Sequence, residues 1–216
     1  MKQLIDEFNK VYPQYAAREV VDSTFDESEN AGKDKTLRNL TIYKTNAFVI
    51  PNIIASDANS FYNKAKSPNI LEKVCDGIFL KKEADTKFIY ICELKSSFIA
   101  DNLVKANDQV VGSYLKLHSL LSLLQSYKQS EWTVRGIIAS FTPPAEKVQD
   151  FLRKKSTGDK VSSFCYDFQR DKKYVMPEDK CKKYFSPLNV PEITLYHVSV
   201  PGMPDSYTID FSKIII

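Results

Sequence analysis

A chain of 216 residues with 43% hydrophobic content can bury one sizeable core, and a single α/β or α+β domain is the default expectation. The net charge of +3 is too mild for a protein that binds polyanions through overall charge alone. The richest apolar run, Leu115 to Leu124, is broken by Lys116, His118 and two serines, well short of the roughly 18 to 20 residues of a membrane span. With acidic residues in place of a secretory apolar segment at the start, the expectation is a soluble, cytoplasmic protein with no membrane partner.

In chain order, residues 2 to 20 have helical potential, with Leu4, Ile5, Phe8 and Val11 on one side and Pro13 disturbing the middle. The polar stretch from Asp22 to Lys35, with Gly32 inside it, reads as a loop. Leu40 to Tyr43 and Ala47 to Ile50, closed by Pro51, read as strands. Val74 to Leu80, a polar turn from Lys81 to Thr86, and Lys87 to Lys95 read as a β-hairpin. Its second strand is apolar on both parities from Phe88 to Cys92, as a central strand covered on both faces requires. A helix opens near Asp101 as N-cap and runs to about Tyr127, with Leu103, Val110, Tyr114, Leu117, Leu121 and Leu124 on one stripe. Val134 to Phe141 is a further strand, Pro143 and Pro144 open a helix to about Lys155, and Ile193 to Val200 is a late strand. The order predicts one domain, residues 1 to 216, with a mixed central sheet flanked by helices, a core at about 40 to 140 and an elaborated C-terminal part.

Charged residues at the end of a buried strand need a reason. The period of two puts Glu93 and Lys95 on one face with Leu94 opposite. Antiparallel pairing brings Asp76, early in the first hairpin strand, beside the end of the second, so the two carboxylates converge. Such a pair suits Mg²⁺ or Mn²⁺, with the Leu94 backbone carbonyl as a third oxygen, while Lys95 orients water and offsets charge on phosphorus. Gly77 either admits a substrate or backbone or is a packing glycine. A second acid-x-lysine triplet, Glu178-Asp179-Lys180, lies in a polar stretch without a strand pattern and is set aside.

Cys75-Asp76-Gly77 and Glu93-Leu94-Lys95 resemble the D…(D/E)-x-K signature of the PD-(D/E)XK nuclease superfamily, with Cys75 in the place of its proline. The resemblance implies a restriction-endonuclease-like αβββαβ core. It also implies an Mg²⁺-dependent nuclease with nucleic acid, DNA first, as partner, a role in restriction or defence, and an assembly that leaves a homodimer open. It makes Asp76, Glu93 and Leu94 the metal ligands and Lys95 the catalytic cation. It further places a glutamine on the following helix, which Gln109 matches loosely; Lys105 and Gln109 would then contact nucleic acid or the attacking water, unless Lys105, Gln109, Ser113 and Lys116 form only a solvated stripe. Glu19 and Glu29 are candidates for an additional acid.

The alternatives are a nuclease-fold module that binds nucleic acid or protein without hydrolysis, and an ion cluster that is purely structural. His118 and His197 read as packing or surface histidines, and the four cysteines as reduced structural thiols. The late clusters Arg153 to Lys155, Arg170 to Lys173 and Lys180 to Lys183 read as a solvated face before a nucleic-acid footprint.

Overall fold

The computed structural model describes residues 1–27, 36–59, 69–176 and 191–215. Helix α1 (Lys2–Val11) puts Leu4, Ile5 and Phe8 into the core and stops before Pro13, which opens a single 3₁₀ turn instead of continuing the helix. The expected helix therefore ends nine residues early, and β1 (Arg18–Val20) occupies the remainder. Within the expected loop, β2 (Ser23–Asp26) is a strand whose Ser23 and Phe25 face inward while Thr24 and Asp26 face out. β3 (Asn39–Tyr43) and β4 (Ala47–Ile50) follow at the expected places, and a short helix α2 (Ile53–Asp57) leaves β4.

The hairpin is formed by β5 (Gly77–Glu83) and β6 (Thr86–Lys95). Its turn is tighter than the sequence suggested, because the ladder continues to the Glu83–Thr86 pair and leaves only Ala84 and Asp85 between strands, Ala84 taking a φ of 49°. Helix α3 (Ala100–Leu121) starts from Ile99 as N-cap, so Asp101 sits inside the first turn, where a carboxylate favours the positive end of the helix dipole. β7 (Trp132–Phe141), α4 (Ala145–Ser156), α5 (Lys160–Asp171), β8 (Lys173–Met176), β9 (Ile193–Val200) and β10 (Ser206–Asp210) complete the described elements.

A seven-stranded mixed sheet runs in the order β1-β4-β5-β6-β7-β9-β8, with β6, β7 and β9 mutually parallel. A three-stranded sheet, β10-β3-β2, packs on one of its faces. Both readings of β6 follow from this layering: Ile89 and Ile91 join the core under the helices, while Phe88, Tyr90, Cys92 and Leu94 join the core under the small sheet. Glu93 and Lys95 share the parity of Ile89 and Ile91, so they point toward α3. The C-terminal part is built into both sheets, as β9 beside β7 and β10 beside β3. Among the described residues no helix is long and apolar enough to cross a membrane.

Candidate active site at the end of the β5–β6 hairpin

The register pairs Gly77 with Cys92, so Asp76 stands opposite Glu93 at the carboxyl end of β6. Asp76 N–H donates to Cys92 O at 3.0 Å, and its Oδ2 accepts from Leu94 N at 2.7 Å. The Lys95 ammonium donates to Glu93 Oε1 and, at 2.7 Å, to Gln109 Oε1. All four side chains are withdrawn from bulk water, at 7% exposure for Asp76, 1% for Glu93, 7% for Lys95 and 2% for Gln109. Two carboxylates and one ammonium thus share a poorly solvated place, where charges persist only when they are paired.

The segment leading into Asp76 is held residue by residue. Lys116 Nζ donates to Lys73 O at 2.7 Å, Gln109 Nε2 to Val74 O at 2.8 Å, and Asn52 Nδ2 to Cys75 O at 3.2 Å, while Cys75 N–H donates to Ser113 Oγ at 2.8 Å. The polar stripe of α3 is therefore a buried seam gripping the chain before the site, and a solvated face is ruled out for Gln109, Ser113 and Lys116. Lys105, one turn earlier, is exposed. The seam is close because α3 carries Gly112: a Cβ there would lie 2.1 Å from Ile70 O. Gly77 serves the opposite face, where a Cβ would fall 2.0 Å from the Phe25 ring, so its role is packing against β2.

A cleft of about 510 Å³ reaches Asp76 from solvent and is lined also by Asn52, Ser56, Glu72, Lys73 and Lys105. Sequence reasoning missed Asn52 and Glu72, which lie in stretches without a strand or helix motif of their own, and left open whether Ser113 faced solvent. Glu19 does not join the site: it is exposed on edge strand β1, opposite Phe48, at the level of Leu80. Glu29 lies outside the described residues. Cys75 is buried, and burial pushes its thiol up to about 12, which leaves it unreactive. Cys92 and Cys165 are likewise buried and free; Cys181 lies outside the described residues.

The histidines pack as expected. His118 stacks on Tyr114 and meets Tyr127 Oη at 3.0 Å, and His197 lies against Phe98 with Nε2 3.0 Å from Ser140 Oγ. The basic clusters of α4 and α5 are largely matched by acids: Arg153 and Lys154 share Asp150, Lys155 pairs with Asp167, and Arg170 pairs with Asp171. Lys180, Lys182 and Lys183 lie outside the described residues.

Among the described residues no group of three or more His, Cys, Asp or Glu side chains is placed to hold a metal. The donor set here is two carboxylates and the Leu94 backbone, which fits Mg²⁺, a cation that keeps several waters and takes one or two protein carboxylates. No protein-family model, curated protein or solved structure matches this chain.

Proposed function

We propose that this protein is a divalent-metal-dependent nuclease of the PD-(D/E)XK type, with a restriction-endonuclease-like core, acting in the cytoplasm on nucleic acid, DNA first. The observation that carries the reading is the convergence of Asp76 and Glu93 across the hairpin end, with Lys95 held between Glu93 and Gln109 and an open cleft reaching Asp76. A purely structural ion cluster gives no reason for a cleft to reach Asp76.

In this reading Asp76, Glu93 and the Leu94 carbonyl would hold Mg²⁺ or Mn²⁺, which would supply Lewis-acid polarisation of the phosphoryl group and a more acidic water. Lys95 then has two tasks: it orients the attacking water and offsets the charge that develops on the phosphoryl oxygens. Gln109 fixes the ammonium so that little reorganisation is needed during reaction. Lys105, exposed on the cleft wall, neutralises a substrate phosphate.

Purified protein incubated with labelled single- and double-stranded DNA and RNA, with Mg²⁺, Mn²⁺ or chelator, tests this directly. Metal-dependent cleavage that disappears in Asp76→Ala and Glu93→Ala is the expected result. Wild-type protein that binds nucleic acid and cleaves none of it favours the non-hydrolytic module. Cleavage undiminished in Glu93→Ala places the site elsewhere.

A further inference from the structure

A second cavity, of about 340 Å³, opens at the outer edge of β9 near the junction of α5 and β8. The ladder between β8 and β9 ends at the Lys173–Tyr196 pair, with one further bond from His197 N to Lys172 O at 2.9 Å, while β9 runs on to Val200. Lys172 makes the corner in a left-handed conformation, φ 55° and ψ 9°, where glycine or asparagine is the usual choice. The cavity walls carry Lys172, Lys173 and Lys213 together with His197, and Val198 and Ile214 add apolar surface.

The charges around this cavity do not cancel. Asp171 also lines it, but both its oxygens are taken by Arg170 at 2.6 Å, which offsets that acid. Lys172 donates to the neutral Gln169 Oε1 at 2.9 Å, and among the described residues no carboxylate pairs with Lys172, Lys173 or Lys213. Desolvation pushes Lys172 below the ordinary lysine range. Burial, then the nearby Lys172 charge, pushes His197 down to about 3, so the imidazole is neutral and leaves the positive charge to the lysines. Nδ1 of His197, itself 5% exposed, has no hydrogen-bond partner among the described residues.

We propose that this cavity binds a small phosphorylated molecule, its phosphate held by Lys172, Lys173 and Lys213 and its apolar part lying on Val198 and Ile214. Three cations around one space call for a dianion, and a single carboxylate would answer only one of them. The volume lies at the small end of ligand pockets, about 300 to 1,000 Å³. A nucleic-acid strand is a poorer match, because the cations that would continue the track, Arg153, Lys154, Lys155 and Arg170, are already paired with acids. The site does not depend on the nuclease reading.

The test is a backbone-amide NMR titration of the intact chain in chelator, so that the Asp76 cleft holds no cation, with inorganic phosphate and a 5′-mononucleotide as probes. The expected result is saturable shifts confined to residues 172–173, 197–199 and 213–214, with the mononucleotide binding at least about tenfold tighter than phosphate. Lys172→Gln and Lys213→Gln should each weaken binding by about tenfold, and Lys128→Gln, on a remote exposed turn, should leave it unchanged. Unsaturated shifts spread over all lysines, shifts confined to the Asp76 cleft, equal affinity for both probes, or undiminished binding in both Lys172→Gln and Lys213→Gln would each overturn the proposal.

Discussion

Gln109 bridges Lys95 and the segment that carries Asp76: its Oε1 accepts from Lys95 Nζ at 2.7 Å while its Nε2 donates to Val74 O at 2.8 Å. One amide thus sets two members of the candidate site in register. Gln109→Leu removes both bonds and leaves a buried ammonium and a carbonyl short of partners, at a cost of about 1 to 3 kcal/mol. Urea unfolding should read that loss. Turnover should fall further than the stability loss explains, with cation affinity kept, because the cost falls on the orientation of Lys95.

Gly112 and Gly77 are predicted to be intolerant for separate reasons. Gly112→Ala drives a methyl into the backbone at Ile70, which cannot move without shifting the segment before Asp76, so a loss of at least 1 to 3 kcal/mol is expected, about what overpacking costs. Gly77→Ala meets the Phe25 side chain first, a ring and not backbone, and Phe25→Ala in the same chain should restore much of the loss. Thermal unfolding of the two singles and the double gives the coupling, and full additivity at 77 and 25 would contradict the packing role.

Lys116 supplies a pH signature. It is fully buried, and burial pushes its ammonium down to about 8, against roughly 10.4 when unfolded. Between those values the unfolded chain binds more protons than the folded one, so the lysine's contribution to stability rises with pH across that window and is flat below it. The span is roughly 3 kcal/mol from the size of the shift. Lys116→Met should remove this pH dependence while losing the bonds to Lys73 O and Asn59 Oδ1. The stability difference between wild type and variant, measured by urea unfolding from pH 7 to 10.5, should therefore move in favour of wild type as pH rises. A difference that stays constant would show that Lys116 is not desolvated in the folded protein.

The parts of this architecture with strong periodicity were legible from the residues. The leucine stripe of α3 and the doubly apolar β6 needed no tertiary information, and the hairpin itself was legible although its turn is shorter than expected. α5 was overlooked although Phe164, Cys165 and Phe168 have helical spacing and Asp159 caps the first turn, accepting from Ser162 N at 3.1 Å. β2, β8 and β10 are short and alternate polar with few apolar residues, so they become strands only through partners distant in sequence, β10 pairing with β3 across more than half the chain. The site split the same way: the pattern along β6 places Glu93 and Lys95, but a buried seam of Gln109, Ser113 and Lys116 is indistinguishable from a solvated stripe until the segment it grips, residues 73 to 75, is laid against it.

The last prediction separates cation binding from chemistry. Only the folded chain brings Asp76 and Glu93 together, so Mg²⁺ or Mn²⁺ should raise the unfolding temperature, by about 2.7 kcal/mol of stability at a hundredfold excess over Kd. For a domain of this size, that is roughly 5 to 10 °C. Asp76→Asn keeps an acceptor for Leu94 N–H but removes one buried charge, so the metal-free variant should be at least as stable as wild type and should lose the cation-induced shift. Lys95→Met should do the reverse: with the competing ammonium gone from Glu93, the cation-induced shift should persist or grow, while cleavage is abolished. Differential scanning calorimetry with and without cation, run beside the cleavage assay, distinguishes the three proteins. An equal shift in wild type and Asp76→Asn would mean that the cation binds away from the hairpin end.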